Sequence, residues 1–319
     1  MNSYDVISFG SGVVDAFLDC DFKEQNGKII FPVGTKISIK NIEFSTGGGG
    51  TNTAACFSYL GLKTGFIGKV ASGGNSHIIL TQLKNYKVDF LGVKSKDKRE
   101  HSGYSIILLS NKKNRTILTY KGVSDNLSKN EINFKKLKTK WIHFSSMAGK
   151  SFETQKEVID YCMKNKIKIS FNPSSYQTKF GVKHLSKFLK NSYIISMNKE
   201  EAEMLVRKDL TKNLHKLGAK IIVITNGSNQ GEVFDGKFLY KYYPNYVNIK
   251  GSTGAGDVFI ASLVSGFIKT SDIKTSIKIA MANSESVIQK QGAKEGLLSW
   301  EEVIKRIKTR NYKIKIIKT

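Results

Sequence analysis

The sequence predicts an α/β fold in which a parallel β-sheet is covered by helices on both faces and a smaller β element stands beside it. The chain has 319 residues, 40% of them hydrophobic, which is enough for one large core. In its second half, short apolar strands alternate with amphipathic helices, as in parallel sheets. Two earlier segments lack a helical period and carry turn signals. We therefore expect one domain over residues 1–319, with insertions at about 16–45 and 98–121.

The alternation is clearest between residues 141 and 225. The predicted strands are Trp141–Phe144, Ile167–Phe171, Tyr193–Met197 and Ile221–Thr225. The helices predicted between them are Glu153–Asn165, Ser186–Lys190, Glu200–Val206 and Asn213–Leu217. Three longer helices are predicted at Ala255–Phe267, Ile273–Lys290 and Trp300–Arg310.

The two insertions carry the signals of short paired strands. Asn26-Gly27 is a hairpin-type turn within a segment that has no helical pattern. Ser102–Leu109 and Arg115–Tyr120 are typical of two strands joined by a polar turn. We expect these strands to pair into a small β lid.

Composition excludes several classes of function. No apolar run approaches the roughly 20 residues of a membrane span. Cys20, Cys56 and Cys162 form no C-x-x-C pair, which argues against a disulfide framework and fits a reducing cytoplasm. The net charge of +25 comes mainly from scattered lysines, whereas arginine is preferred for bidentate phosphate and base recognition. A specific nucleic-acid partner is therefore not expected, although a positive field would attract phosphorylated ligands.

The strongest motif is Gly251–Asp257, read GSTGAGD, which is followed at once by an apolar helix. Small residues let backbone N–H groups approach an anion, and a helix N-terminus adds partial positive charge there. Asp257 in such a place could accept the proton of an alcohol while the amides stabilise a moving phosphoryl group. The alternative is a glycine-rich turn with an acidic residue in the first helical turn.

A second motif is Gly47–Asn52, read GGGGTN, which enters a helix near Thr53–Leu60. Its glycines allow close approach to a polyhydroxylated ligand, and Asn52 can both donate and accept hydrogen bonds. The alternative is a flexible loop in which Asn52 caps the helix.

These two motifs, in this order and about 200 residues apart, resemble the two signatures of the PfkB family. That family includes ribokinase, adenosine kinase and other sugar and nucleoside kinases. The resemblance covers nearly the whole chain. Shorter matches are Gly10–Asp15, Leu60–Val70, Asn198–Glu201, Thr225–Gly227, Ala282-Asn283 and Gly292.

The resemblance implies a ribokinase-like three-layer αβα sandwich with a β lid, and transfer from ATP to a hydroxyl of a small sugar or nucleoside. It also implies Mg²⁺, held through Glu201. The catalytic residues it implies are Asp257 as base, with Gly254, Ala255 and Gly256 as the anion hole. The implied binding residues are Asp15, Gly48 and Asn52 for the acceptor, and Asn198, Thr225, Gly227 and Asn283 for the nucleotide.

Some positions depart from the family pattern. Gly251 replaces an aspartate that helps ribokinase-like members to bind a monovalent cation, so such a cation is not predicted. Phe144 is followed by Ser145-Ser146, where ribokinases tend to carry a sugar-binding glutamate. Ribose and nucleosides therefore both stay open as acceptors. Family members use the lid edge for dimers, which leaves a homodimer open.

The alternative function is a non-catalytic, nucleotide-responsive binding protein with affinity for RNA. The positive charge would favour it, whereas an intact Gly254–Asp257 argues against it.

Overall fold

A computed structural model describes residues 3–111, 114–251 and 253–319. Ser252 of the glycine-rich motif and the side chain of Cys20 lie outside the described part. The main sheet has ten strands. Numbered along the chain and given in spatial order, they are β18 (Ile314–Lys318), β17 (Phe238–Tyr242), β16 (Gly231–Phe234), β15 (Ile221–Thr225), β14 (Ile194–Asn198), β13 (Lys168–Asn172), β12 (Trp141–Ser145), β1 (Val6–Phe9), β6 (Thr64–Ile67) and β8 (Asp89–Phe90).

The sheet is mixed. From β8 to β15 all neighbours are parallel, which confirms the predicted parallel arrangement and the four strands between residues 141 and 225. The edge formed by β16, β17 and β18 is antiparallel. An antiparallel edge strand needs no crossover helix, so the alternating pattern could not indicate it.

Helices cover both faces of the main sheet. They are α1 (Gly49–Tyr59), α2 (Gly74–Asn85), α3 (Gly149–Lys164), α4 (Ser175–Thr178), α5 (Gly181–Asn191), α6 (Lys199–Leu205), α7 (Leu210–His215), α8 (Ala255–Thr270), α9 (Ile273–Val287) and α10 (Trp300–Thr309). Short 3₁₀ turns lie at Gly122–Asp125, Lys129–Glu131 and Phe134–Lys136.

On the central strands of the main sheet, neighbouring residues pack into two separate cores, one on each face. On β15, Ile221 and Val223 pack into the core that contains α1, α8, α9 and α10. Ile222 and Ile224 pack into the opposite core, with α3, α5, α6 and α7. A strand buried on both faces reads as a continuous apolar run. The result is the three-layer αβα sandwich of the predicted fold class.

A second sheet of four strands lies beside the sandwich. Its strands, in spatial order, are β11 (Arg115–Tyr120), β10 (Gly103–Ser110), β2 (Val13–Phe22) and β5 (Asn41–Gly47). Two short pairs accompany it: β3 (Glu24–Gln25) with β4 (Lys28–Ile29), and β7 (Lys69–Val70) with β9 (Val93–Lys94). Strand β2 begins at Val13, before the predicted insertion at about residue 16, because it continues almost directly from β1.

The connectivity creates a switch point next to β1. Strand β1 lies between β6 and β12. The chain first adds β6 and β8 on one side of β1, and later adds β12 and the strands after it on the other side. Ligands of open α/β sheets bind at the carboxyl ends of the strands beside such a point. None of the described helices has the length and apolar character that crossing a bilayer requires.

Candidate active site

The carboxyl ends of the central strands open into a cavity of about 260 Å³. Asn198 and Thr225 reach it from the ends of β14 and β15, and Glu201 from the first turn of α6. Gly254, Gly256 and Asp257 reach it from the start of α8. Residues predicted for the nucleotide and for catalysis therefore share one cavity, although they lie up to 59 positions apart in the chain (198 to 257).

The start of α8 forms the wall that can bind an anion. Gly254 precedes the helix with a φ of 75°, a conformation that favours glycine. A Cβ atom on Gly254 would lie 2.7 Å from Cβ of Ala293, whereas Gly256 faces open space. The first N–H groups of a helix have no partner within it, so those following Gly254 are available to a phosphate.

Asp257 lies in the first turn of α8 and is held by a chain of polar side chains. Asn52 Nδ2 donates a hydrogen bond to Asp257 Oδ2 over 2.9 Å. Lys294 Nζ donates to Asn52 Oδ1, also over 2.9 Å, and to the carbonyl oxygen of Thr46. Lys294 is buried, with 2% of its surface exposed. The two signature motifs therefore meet through Asn52 and Asp257, as the resemblance implies.

Burial raises the pKa of Asp257, while the hydrogen bond from Asn52 and the charge of Lys294 act in the opposite direction. Burial also lowers the pKa of Lys294 to about 8, although Glu295, Asp15 and Asp257 favour its charged form. A carboxylate whose pKa lies above the ordinary range is better suited to take a proton from an alcohol at neutral pH.

Asp15 lies on β2, next to the first glycine-rich motif. It is 6% exposed, and burial raises its pKa against a hydrogen bond from Ser105 and the charge of Lys294. A Cβ atom on Gly47 would lie 2.0 Å from Asp15 Oδ2, so a side chain at this position would force the Asp15 carboxylate to move. Gly48, with a φ of 93°, lies directly before α1. Asp15, Gly48 and Asn52 thus border the same region as Asp257.

Asn198 and Glu201 form a capping box at the start of α6. Glu201 N donates to Asn198 Oδ1 over 2.8 Å, and Asn198 N donates to Glu201 Oε2 over 3.0 Å. Ser175 Oγ donates to the other carboxylate oxygen of Glu201 over 3.1 Å. Burial raises the pKa of Glu201 against these hydrogen bonds.

The remaining nucleotide-site predictions differ in outcome. Thr225 lines the cavity, while Gly227 lies just beyond it with a φ of 56° and open space around it. Asn283 is fully buried, and its Nδ2 donates to Ser262 Oγ over 2.8 Å. Its Oδ1 accepts from the backbone N–H of Leu298 over 2.9 Å. The predicted contact of Asn283 with the nucleotide needs correction, because its amide is already bonded inside the core.

Two features were not predicted from the sequence. Lys294 is one lysine among many, and no pattern marks it as buried. Ser145, at the end of β12, is 2% exposed, and among the described residues its Oγ finds no hydrogen-bond partner. Ser145 lies beside both motifs, since a Cβ atom on Gly49 would lie 3.1 Å from Ser145 Oγ and 3.4 Å from Asp257 Oδ1. Lys294 contacts the first motif through Asn52.

A second, larger cavity of about 940 Å³ lies between the four-stranded sheet and the loop before α8. Phe17, Glu43 and Arg115 line it from the four-stranded sheet, and Gly251 and Thr253 from the loop. Arg115 donates a hydrogen bond to Thr253 Oγ1, so the sheet touches the loop that carries the anion-binding helix start.

Comparison with known proteins finds matches over most of the chain. The profile of the pfkB family carbohydrate kinase matches residues 7–300. An uncharacterised sugar kinase of Archaeoglobus fulgidus is 30% identical over 248 residues, which are 75% of this chain and 97% of that protein.

Solved structures show the same fold. Ribokinase of Arabidopsis thaliana, complexed with ribose and ATP, superposes with a TM-score of 0.81 at 18% identity, covering 96% of this chain and 99% of that one. A putative ribokinase II of E. coli, in complex with ATP and Mg²⁺, superposes with a TM-score of 0.82 at 17% identity, covering 96% and 100%.

Proposed function

This chain belongs to the pfkB family of carbohydrate kinases, and we propose that Asp257 is the base with which it phosphorylates a sugar hydroxyl. It is a phosphotransferase with ATP as co-substrate. The observation that carries the proposal is the direct contact of Asn52 with Asp257 at the start of α8. This contact brings the expected acceptor site to the expected phosphate site, as transfer between them requires.

In-line transfer needs positioning and charge stabilisation more than covalent chemistry. The acceptor hydroxyl lies between Asp257 and the γ-phosphate. Asp257 takes its proton as the new P–O bond forms and the bond from the γ-phosphorus to the β,γ-bridging oxygen breaks, so that ADP leaves. Backbone N–H groups that follow Gly254 stabilise negative charge on the moving phosphoryl group. Thr225 and Gly227 border the remainder of the nucleotide.

The nucleotide cavity suits Mg²⁺. Its oxygen donors include Glu201, Asn172 and Asn198, the hard ligands that this ion prefers. Among the described residues, no group of three or more acidic, histidine or cysteine side chains is arranged to hold a metal alone. We expect the ion to be held mainly by water and phosphates, to which Glu201 and Asn198 contribute orientation. When bound, Mg²⁺ neutralises charge on the phosphates.

The acceptor is a ribose-like sugar, free or within a nucleoside. Asp15 and Asn52 supply polar contacts for its hydroxyls, and Ser145 offers a hydroxyl that still needs a partner. The cavity of about 940 Å³ beyond them lies within the upper range for small-molecule pockets and leaves room for a group attached to the sugar. The four-stranded sheet acts as the lid and excludes water, a competing acceptor.

A non-catalytic RNA-binding function is not favoured. The family match spans residues 7–300, and the catalytic motif Gly254–Asp257 is intact. Asn198, Glu201 and Asp257 line a cavity of small-molecule size.

The direct test is a phosphorylation assay with ATP, Mg²⁺ and a panel of acceptors. The panel contains ribose, adenosine, cytidine, inosine and fructose 6-phosphate. We expect acceptor-dependent ADP release with ribose or a nucleoside, and a product phosphorylated on a sugar hydroxyl. ADP release that no acceptor stimulates would contradict the proposal.

A further inference from the structure

We propose that Lys294 is a positioning residue for the transfer step, whose buried ammonium group holds Asn52 against Asp257 and provides the fixed positive charge beside Asp257 and Asp15. This inference rests on the proposed function and goes beyond it, since neither motif contains Lys294.

The first observation is the burial of Lys294. A lysine is almost never fully buried unless its charge is compensated. Lys294 is 2% exposed and lies in the loop between α9 and α10. Gly292 and Gly296 flank it with φ values of 104° and 95°, so the backbone turns sharply on both sides. The loop therefore directs a long cationic side chain inward.

The second observation is the direction of the hydrogen bonds. An ammonium group only donates, so Asn52 must turn its oxygen toward Lys294. Its amide nitrogen is then left to donate to Asp257. With a neutral apolar side chain at position 294, Asn52 could rotate and present its oxygen to the carboxylate, where no hydrogen bond can form.

The third observation is the set of charges around the ammonium group. Asp15 on β2, Asp257 on α8 and the adjacent Glu295 are the acids that favour its charged form. Lys121, which follows β11, is a second cation that acts on Asp15 and Asp257, but it is exposed and therefore screened by solvent. Lys294 is the buried cation of this group.

These contacts predict how activity depends on pH. Burial raises the pKa of Asp257, and the charge of Lys294 opposes that rise. The rate should fall at acidic pH as Asp257 takes up a proton. It should also fall above a pH of about 8, as Lys294 loses its proton and its hold on Asn52.

The test compares Lys294→Met and Lys294→Arg with the unmodified chain. Lys305, an exposed lysine on α10, provides the matched control Lys305→Met. Circular dichroism and ATP affinity verify that each variant is folded. Carbon-13 NMR of labelled aspartates reports the protonation of Asp257 without any acceptor, with the signal assigned by its loss in Asp257→Asn.

In Lys294→Met we expect the Asp257 titration midpoint, and with it the acidic limb of kcat/KM, to rise by about one pH unit or more. In Lys294→Arg the alkaline limb should disappear, because arginine does not lose its proton in proteins. An unmoved midpoint in Lys294→Met would overturn the inference, and so would an alkaline limb that persists in Lys294→Arg.

The two proposals can fail separately. A shifted midpoint in a protein that phosphorylates no acceptor would support the effect of Lys294 on Asp257 and reject the proposed function. An active kinase whose midpoint and pH limbs are unchanged in Lys294→Met would support the proposed function and reject the role of Lys294. If Lys294→Met does not fold, the alkaline limb in Lys294→Arg decides.

Discussion

At the first turn of α6, Glu201 closes a helix cap, and we propose that orientation of Mg²⁺ is its second task. One carboxylate oxygen accepts from the Asn198 backbone and closes a capping box, while the other accepts from Ser175. The same side chain lines the nucleotide cavity and is only 7% exposed. A helix cap requires hydrogen bonding, whereas orientation of a hydrated cation requires negative charge. The two tasks can therefore be separated by an isosteric substitution.

We expect Glu201→Gln to keep the cap, since glutamine also serves in a capping box. The Mg²⁺ concentration for half-maximal activity should rise by about 10-fold or more, the usual cost of losing an outer-shell partner of a metal. Thermal unfolding and a Mg²⁺ titration at saturating ATP measure the two effects. Glu200→Gln, in the same turn but exposed, is the control. An unchanged Mg²⁺ requirement in Glu201→Gln would exclude the metal role.

At the scale of single residues, the sequence predicts those groups whose role is local. Gly254 and Gly48 are recognisable because a positive φ at a helix start demands glycine, and Asp257 because it follows such a start. Lys294 could not be recognised. Lys294 is buried because its loop packs against β5 and α1, where it contacts Thr46 and Asn52, about 250 positions earlier in the chain. Local sequence patterns do not predict such long-range contacts.

At the scale of elements, buried hydrogen bonds hold α9 in place behind the candidate site. Asn283 on this helix bonds to Ser262 on α8 and to the backbone of Leu298. These bonds fix α9 to the neighbouring helix and to the chain that leads into α10. The glycine-bounded loop that carries Lys294 lies between these attachments.

We expect Asn283→Ala to lower stability and to leave the KM for ATP within about twofold. Removing the amide leaves the N–H of Leu298 without its partner, which costs about 1–3 kcal/mol of unfolding free energy for a buried group. Urea unfolding and steady-state kinetics give the two values. Ser286→Ala, half-buried on the same helix, is the control. A KM for ATP raised 10-fold at unchanged stability would restore Asn283 to the nucleotide site.

The strands between residues 141 and 225 and the helices α3, α6, α8, α9 and α10 were predicted within about four residues, because their patterns are local. Helices α2 and α4 and strands β6 and β8 were not predicted. Helix α1 is an exception at its boundary: it begins at Gly49, inside the glycine motif, and not near Thr53. Glycine disfavours helix, but a Cβ atom on Gly50 would lie 2.5 Å from the carbonyl carbon of Gly10. Close packing of this helix on the end of β1 therefore outweighs propensity.

At the scale of the whole molecule, the order of the strands brings the site together. Strand β1 continues into β2 of the four-stranded sheet after only three residues. Asp15, on β2, therefore lies near the carboxyl end of β1, at the switch point of the main sheet. Helices α1 and α8 then meet at Asn52 and Asp257. Two sheets, two glycine-rich helix starts and one buried lysine thus meet around Asp257.

Replacement of that carboxylate tests the central claim most directly. Asp257→Asn keeps the shape of the side chain and its access to Asn52 but removes the base. Asp209→Asn, at an exposed position, is the matched control. We expect kcat on the best acceptor to fall at least ~100-fold, in line with general-base catalysis, while the affinity for ATP changes little. Turnover close to that of the unmodified chain would contradict the account.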